Sequence, residues 1–190
     1  MDMPTRERIF TAARDQFDEA GEDGVSMRKV AAAAGITAMA IYRHYPDKDA
    51  LLDALMLDGM EAWEARARSL QTGEPIGWLE RLLLAFADFA LDEPRRYEAA
   101  FLLPARRARR YPVDFELGRS PVVNLMYARI DEAKTLGLID GTPTAEIVLG
   151  LAALAQGMVS MHRAGRFAGD PEFRAAYAVV SRRALLSFRT

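Results

Sequence analysis

Apolar residues recur at three- and four-residue intervals along most of the chain, and no segment alternates apolar with polar as a half-buried strand would. Ile9, Ala13 and Phe17 line one face of a helix predicted over 5–20, which Gly21 and Gly24 end. Met27, Val30, Ala31 and Ala34 repeat at helical spacing behind Ser26, a residue able to cap, and Gly35 stops that second helix. Thr37 is the next cap. A third, short helix then runs to about His44, Pro46 closes it, and Asp47 caps a fourth that extends to about Leu70. Further helices are predicted over 76–91, 94–110, 120–136, 144–165 and 170–188, with a loop over 112–121 and a turn over 137–143. The chain is therefore all-α. Its three short helices form a small module, 1–46, on a larger helical body, 47–190.

The stretch "GITAMAIYRHYPDKDALL" (35–52) shows what the module is for. A helix, a tight turn containing Gly and a second short helix make a helix-turn-helix. Gly35 permits a positive φ, Ile36 fits the angle between the helices, and Thr37 caps the third helix. At about 100° per residue Ile41 and Tyr45 share one face of that helix, with Ala38 close by, facing Phe17, Val30 and Ala34. Met39 and Arg43 point the other way, flanked by Ala40 and Tyr42. Such a face suits a DNA groove, where Arg bonds guanine edges and methyl groups touch thymine.

Charge sharpens this reading. The 190 residues carry a formal charge of −2, which gives no global attraction to polyanions. Over 26–48, however, Arg28, Lys29, Arg43 and Lys48 stand against Asp47 alone. The positive patch is confined to the proposed DNA face. Acids outnumber bases eleven to seven over 1–60, which should weaken nonspecific binding.

The run "GVSMRKVAAAAGITAMAIYRHYPDKDALLDAL" resembles the DNA-binding domain of the TetR family of bacterial transcription regulators, over about residues 5–56. The resemblance implies that Tyr42 and Lys48 hold phosphates, Lys48 from the N-terminal end of the fourth helix. It also implies that Thr37, Ala38, Met39, Ala40 and Arg43 read bases, with Arg28 from the second helix. Ala38, Met39 and Ala40 make few hydrogen bonds, so readout should lean on Arg28, Arg43, apolar contact and DNA shape. His44 either contacts phosphate or donates to backbone at the helix end.

Other chemistries find little footing. There is no cysteine, which removes disulfides, thiolate nucleophiles and cysteine-bound metals, and agrees with a cytoplasmic setting. His44 and His162 are the two histidines, too few for a multi-histidine metal site. No nucleophile–base–acid set is legible, so no enzyme, metal or cofactor is expected. The N-terminus lacks the apolar core of a secretory signal. The stretch 147–161, broken by Gln156 and Ser160, is read as short of the ~18 apolar residues of a membrane span.

In the body, Trp78, Phe86, Phe89, Tyr97, Phe101, Tyr127, Met158 and Met161 are core residues by spacing, some of which should wall the ligand cavity that the resemblance implies. Arg106 heads the run Arg106, Arg107, Arg109 and Arg110. Either the run attracts an anionic effector or, as the spacing favours, it is a solvated helix face paired with acids. For His162 a satisfied, buried histidine is favoured over a ligand contact. Small residues at Gly150, Ala153, Gly157, Ala175 and Ala176, with Val179, suit a dimeric four-helix bundle built from the last two helices. The predicted function is a homodimeric repressor on palindromic double-stranded DNA, released by a small-molecule effector, with no membrane partner. The alternative is a helical small-molecule-binding or interaction protein without DNA binding.

Overall fold

A computed structural model describes residues 3–71, 73–104 and 106–189. Among these residues ten helices follow in chain order: α1 (Thr5–Gly24), α2 (Met27–Ala33), α3 (Ala38–Ile41), α4 (Lys48–Arg68), α5 (Pro75–Asp92), α6 (Pro94–Phe101), α7 (Val113–Glu116), α8 (Pro121–Thr135), α9 (Thr144–Arg163) and α10 (Asp170–Leu186). Among the described residues there is no strand.

The chain divides into two compact units, Met1–Ala62 with Glu93–Ala108, and Trp63–Asp92 with Arg109–Thr190. In the first unit α1, α2, α3, most of α4 and α6 surround a core that includes Ile9, Ala13, Phe17, Val30, Ile41 and Leu51. Each large apolar side chain buried there contributes about 1.5–3 kcal/mol. In the second unit α5, α8, α9 and α10 bury Leu79, Phe89, Ile130, Ile147, Leu151, Phe173 and Tyr177. Contact thus cuts the chain elsewhere than the functional boundary read after Pro46.

Several helix ends differ from expectation. Gly21 does break α1, with φ +66°, although the chain resumes a helical turn as far as Gly24. Ser26 makes no side-chain cap bond to α2. Its backbone N–H instead donates to Gln16 Oε1 of α1 at 3.2 Å, so an amide from the neighbouring helix fixes the start of α2. The 94–110 helix stops at Phe101: Leu103 precedes Pro104, and a residue before proline is driven out of helical φ/ψ. The arginine run therefore lies beyond the helix, not on it. The 112–121 loop contains the short helix α7.

The stretch 147–161 belongs to α9, a 20-residue helix long and apolar enough by composition to cross a membrane. Only 33% of its apolar window is buried within the chain.

Candidate nucleic-acid interface

Gly35 sets the turn. At φ +69° it is left-handed, its N–H donates to the Ala32 carbonyl, and the Ile36 N–H reaches the Ala31 carbonyl at 3.0 Å. This paired pattern closes the C-terminal end of α2. Thr37 then opens α3, its Oγ1 accepting the Ala40 N–H at 3.2 Å. Asp47 opens α4 in the same way, Oδ1 accepting the Ala50 N–H at 2.8 Å.

Regular α-helix in α3 ends at Ile41, three residues before the expected His44. The backbone continues in tight turns, with Arg43 N–H donating to Ala40, and both His44 and Tyr45 N–H donating to Ile41. Such bonds commonly tighten a last helical turn, and Pro46 bars its continuation. Side-chain directions survive this change. Ile41 and Tyr45 are 0% and 4% exposed, whereas Met39 and Tyr42 are 75% and 50% exposed. Arg28, Lys29 and Arg43 are exposed as well, and Ala40 and His44 are half-buried. Ala38, placed by helical geometry near the inward face, is exposed, because the chain is only then leaving its Thr37 cap. Thr37 is exposed too, with its hydroxyl engaged in capping.

Lys48 holds a contact that sequence reasoning missed. Its ammonium donates to the Glu22 carbonyl at 2.8 Å, near the negative end of the α1 dipole. This tie joins positions 26 residues apart, and no local pattern could have revealed it. Arg106 is the second surprise. It pairs with Asp47 at 3.1 Å and also with Asp49, both at the start of α4. The Ala50 N–H bond first, and then Arg106, hold the Asp47 carboxyl below its ordinary value. Within the arginine run Arg109 also has an acid partner, Glu64 at 3.0 Å, whereas the Arg107 bond to Asp53 comes from its backbone N–H.

The residues read as pocket walls fall into different units. Tyr97, Phe101 and Arg106 belong to the first; Phe86, Phe89, Tyr127, Met158 and His162 belong to the second. Tyr97 packs on Phe101 with ring centroids 5.2 Å apart. Phe86 and Phe89 pack on Trp63, at 5.2 and 5.8 Å, a tryptophan that helical spacing alone does not single out. His162 stacks on Phe173 at 4.4 Å and its Nε2 lies 3.0 Å from Asp170, but its buried Nδ1 has no partner among the described residues, so the expectation of a satisfied histidine is only half met. An open cleft of about 470 Å³ in the first unit is lined by Arg14, Asp18, Glu93 and Arg95 among others, and by none of these wall residues.

A helix-turn-helix with an apolar inner face and a basic outer one, followed by a longer helical chain, defines the class of helical DNA-binding regulators. Comparison with known proteins makes this specific. The family model for bacterial regulatory proteins of the tetR family matches residues 9–55, and that for the tetracyclin repressor-like C-terminal domain matches residues 79–182, more than half of the chain. The chain belongs to the TetR family of bacterial transcription regulators. It is 38% identical to the HTH-type transcriptional regulator UidR of Escherichia coli over 66 residues, 35% of this chain and 34% of UidR. It is 40% identical to the HTH-type transcriptional repressor DrrR1 of Streptomyces coeruleorubidus over 74 residues, 39% of this chain and 26% of DrrR1. The chain thus spans about a third of the length of these curated relatives. A solved protein of unknown function from Rhodococcus sp. RHA1 shares the fold across 100% of this chain and 97% of its own, with a TM-score of 0.78 at 23% identity.

Proposed function

We propose that the chain is a homodimeric, cytoplasmic repressor that binds a roughly palindromic operator through α3 and leaves it when a small molecule occupies the helical body. The observation that carries this reading is the two-sidedness of α3: Ile41 and Tyr45 are sealed into the core while Met39, Tyr42 and Arg43 face solvent. In this reading Tyr42 and Lys48 hold phosphates, with His44 beside them. Arg28, Arg43 and the small face Thr37, Ala38, Met39 and Ala40 meet base edges. The functional boundary falls after Pro46.

Dimerisation would use α9 and α10. Gly150, Ala153 and Gly157 are exposed on α9, and Leu149 and Met161 are 44% and 51% exposed beside them. On α10 Ala175 and Val179 are exposed, the latter at 50%, although Ala176 is half-buried. A second copy covering this face would give α9 the burial its composition calls for. Two α3 helices ~35 Å apart would then enter successive major grooves. Effector coupling of ~1–3 kcal/mol would be reciprocal, so operator would weaken effector binding by the same factor.

A gel-shift with duplex from beside the protein's own coding region tests the reading. Tyr42→Ala should weaken binding to every duplex. Arg43→Ala should chiefly relax sequence preference, by ~1–3 kcal/mol at one base pair. A folded chain that ignores all duplexes at low salt would instead favour the alternative of a helical binding protein without DNA activity.

A further inference from the structure

The segment after α6 ends in a contact that the helix-turn-helix itself does not require. Arg106 reaches Asp47 and Asp49, the two acids that flank Lys48 in sequence. Lys48 opens α4, and the proposed function sets phosphate against that end. Two carboxylates there oppose an approaching polyanion: like charges at close range repel, and the repulsion grows as the docked surfaces shed water. The cap cannot simply be dispensed with, because Asp47 Oδ1 holds the Ala50 N–H at 2.8 Å. A cation must therefore balance the acids without removing them. Lys48 supplies one positive charge against two carboxylates, and its ammonium donates to the Glu22 carbonyl at 2.8 Å. Arg28 and Arg43 are exposed, away from the core. Arg106 is the guanidinium that meets both carboxylates, and it arrives from a segment outside the recognition module. A neighbouring bond supports the same placement: the Arg107 backbone N–H donates to Asp53 Oδ1 at 3.1 Å, one turn further along α4.

We propose that Arg106 is a positioning residue for DNA binding: by pairing with Asp47 and Asp49 it neutralises the carboxylates at the start of α4 and makes that helix end acceptable to phosphate. This rests on the DNA-binding reading and adds to it a residue far from the helix-turn-helix in sequence. It also makes duplex affinity depend on where the segment after α6 lies, because moving Arg106 away uncovers two negative charges.

The test is fluorescence anisotropy with the full chain and two labelled duplexes, one from beside its coding region and one of random sequence, over a range of salt. Arg106→Ala should weaken binding to both duplexes alike by ~3–10-fold at low salt, and the deficit should shrink as salt screens the exposed acids. Arg106→Lys should recover most of the loss. Asp49→Asn placed in the Arg106→Ala chain should recover it as well, which a purely structural role would not allow. Arg119→Ala, which removes an arginine paired with Asp114, should leave both affinities unchanged. The proposal is overturned if Arg106→Ala binds as the parent does, or if Asp49→Asn restores nothing while thermal melting shows the double variant folded. A parent chain that binds neither duplex sinks the DNA-binding reading and this proposal together. Failure of the proposal alone leaves parental binding intact.

Discussion

Gly59 of α4 lies against the carbonyl of Arg96 in α6: a Cβ at Gly59 would stand 2.5 Å from that oxygen and 3.1 Å from the Ala100 methyl. The two helices meet here backbone to backbone, and an Arg96–Asp58 ion pair at 3.2 Å sits beside the crossing. The obstacle is main chain, so it cannot rotate away as a flexible side chain would. Gly59→Ala should therefore destabilise the chain by ~1–3 kcal/mol despite the better helix propensity of alanine. Chemical denaturation of the two proteins checks this. An unchanged midpoint would mean that α4 and α6 are not held this closely.

At Gly35 the constraint is different. A Cβ there would meet nothing within 4 Å, so only the backbone conformation, φ +69°, resists a side chain. Gly35→Ala should cost ~1–2 kcal/mol from the left-handed conformation alone. Gly35→Asn should cost less, since asparagine tolerates that region. Thr37→Ala, two residues on, should lose ~0.5–2 kcal/mol with the α3 cap. Melting curves that rank Gly, Asn and Ala in this order would establish conformation as the cause. Equal losses for Asn and Ala would point to crowding.

These two glycines also mark how far the sequence could be read. The Gly35 turn, the Thr37 and Asp47 caps and the inward Ile41 are local features, decided by residues three or four apart, and periodicity and cap chemistry disclose them. Gly59 gave no signal, because its role depends on a helix some forty residues away. The same holds for Lys48 with Glu22, for Arg106 with Asp47, and for Trp63, whose aromatic partners are on α5. The end of α6 at Phe101 was legible in principle from Pro104, but the apolar and basic spacing beyond it masked the break. Ser26 shows the opposite error. It had the right chemistry for a cap, yet its side chain makes no cap bond, and Gln16, from another helix, accepts its backbone N–H.

Acid should reveal the α4 cap. The Ala50 N–H bond, and after it Arg106, keep the native Asp47 carboxyl below its ordinary value. A lowered native value means that folding favours the ionised form. The stabilisation is complete above the unfolded value of about 4 and disappears as pH falls through the lower native one. Melting temperature should thus decline between about pH 5 and pH 2, with part of that slope belonging to Asp47. Asp47→Asn should keep a cap but flatten this part of the profile, whereas Asp47→Ala should lower the melting temperature at neutral pH too. A parental acid slope in Asp47→Asn would assign the effect to other carboxylates, such as Asp114 and Asp140, whose native values are also lowered.

Gly157 offers a test of assembly that the fold of one chain should not feel. A Cβ there meets nothing within 4 Å, and the position lies on the exposed side of α9 near Ala153 and Met161. Within a single chain Gly157→Arg exchanges a poor helix former for a good one, which should raise stability by up to ~1 kcal/mol. In the proposed dimer the same change drives a long cation into a face of small residues, opposite its own symmetry copy. Sedimentation equilibrium should then show a monomer, and far-ultraviolet circular dichroism an intact helix content. Affinity for a duplex carrying both half-sites should fall ~100-fold or more, because the second recognition helix no longer arrives already tethered to the first. Affinity for a single half-site should hardly change. If Gly157→Arg sediments as a dimer, the interface lies on another face, and the exposed apolar side of α9 must be covered by something else.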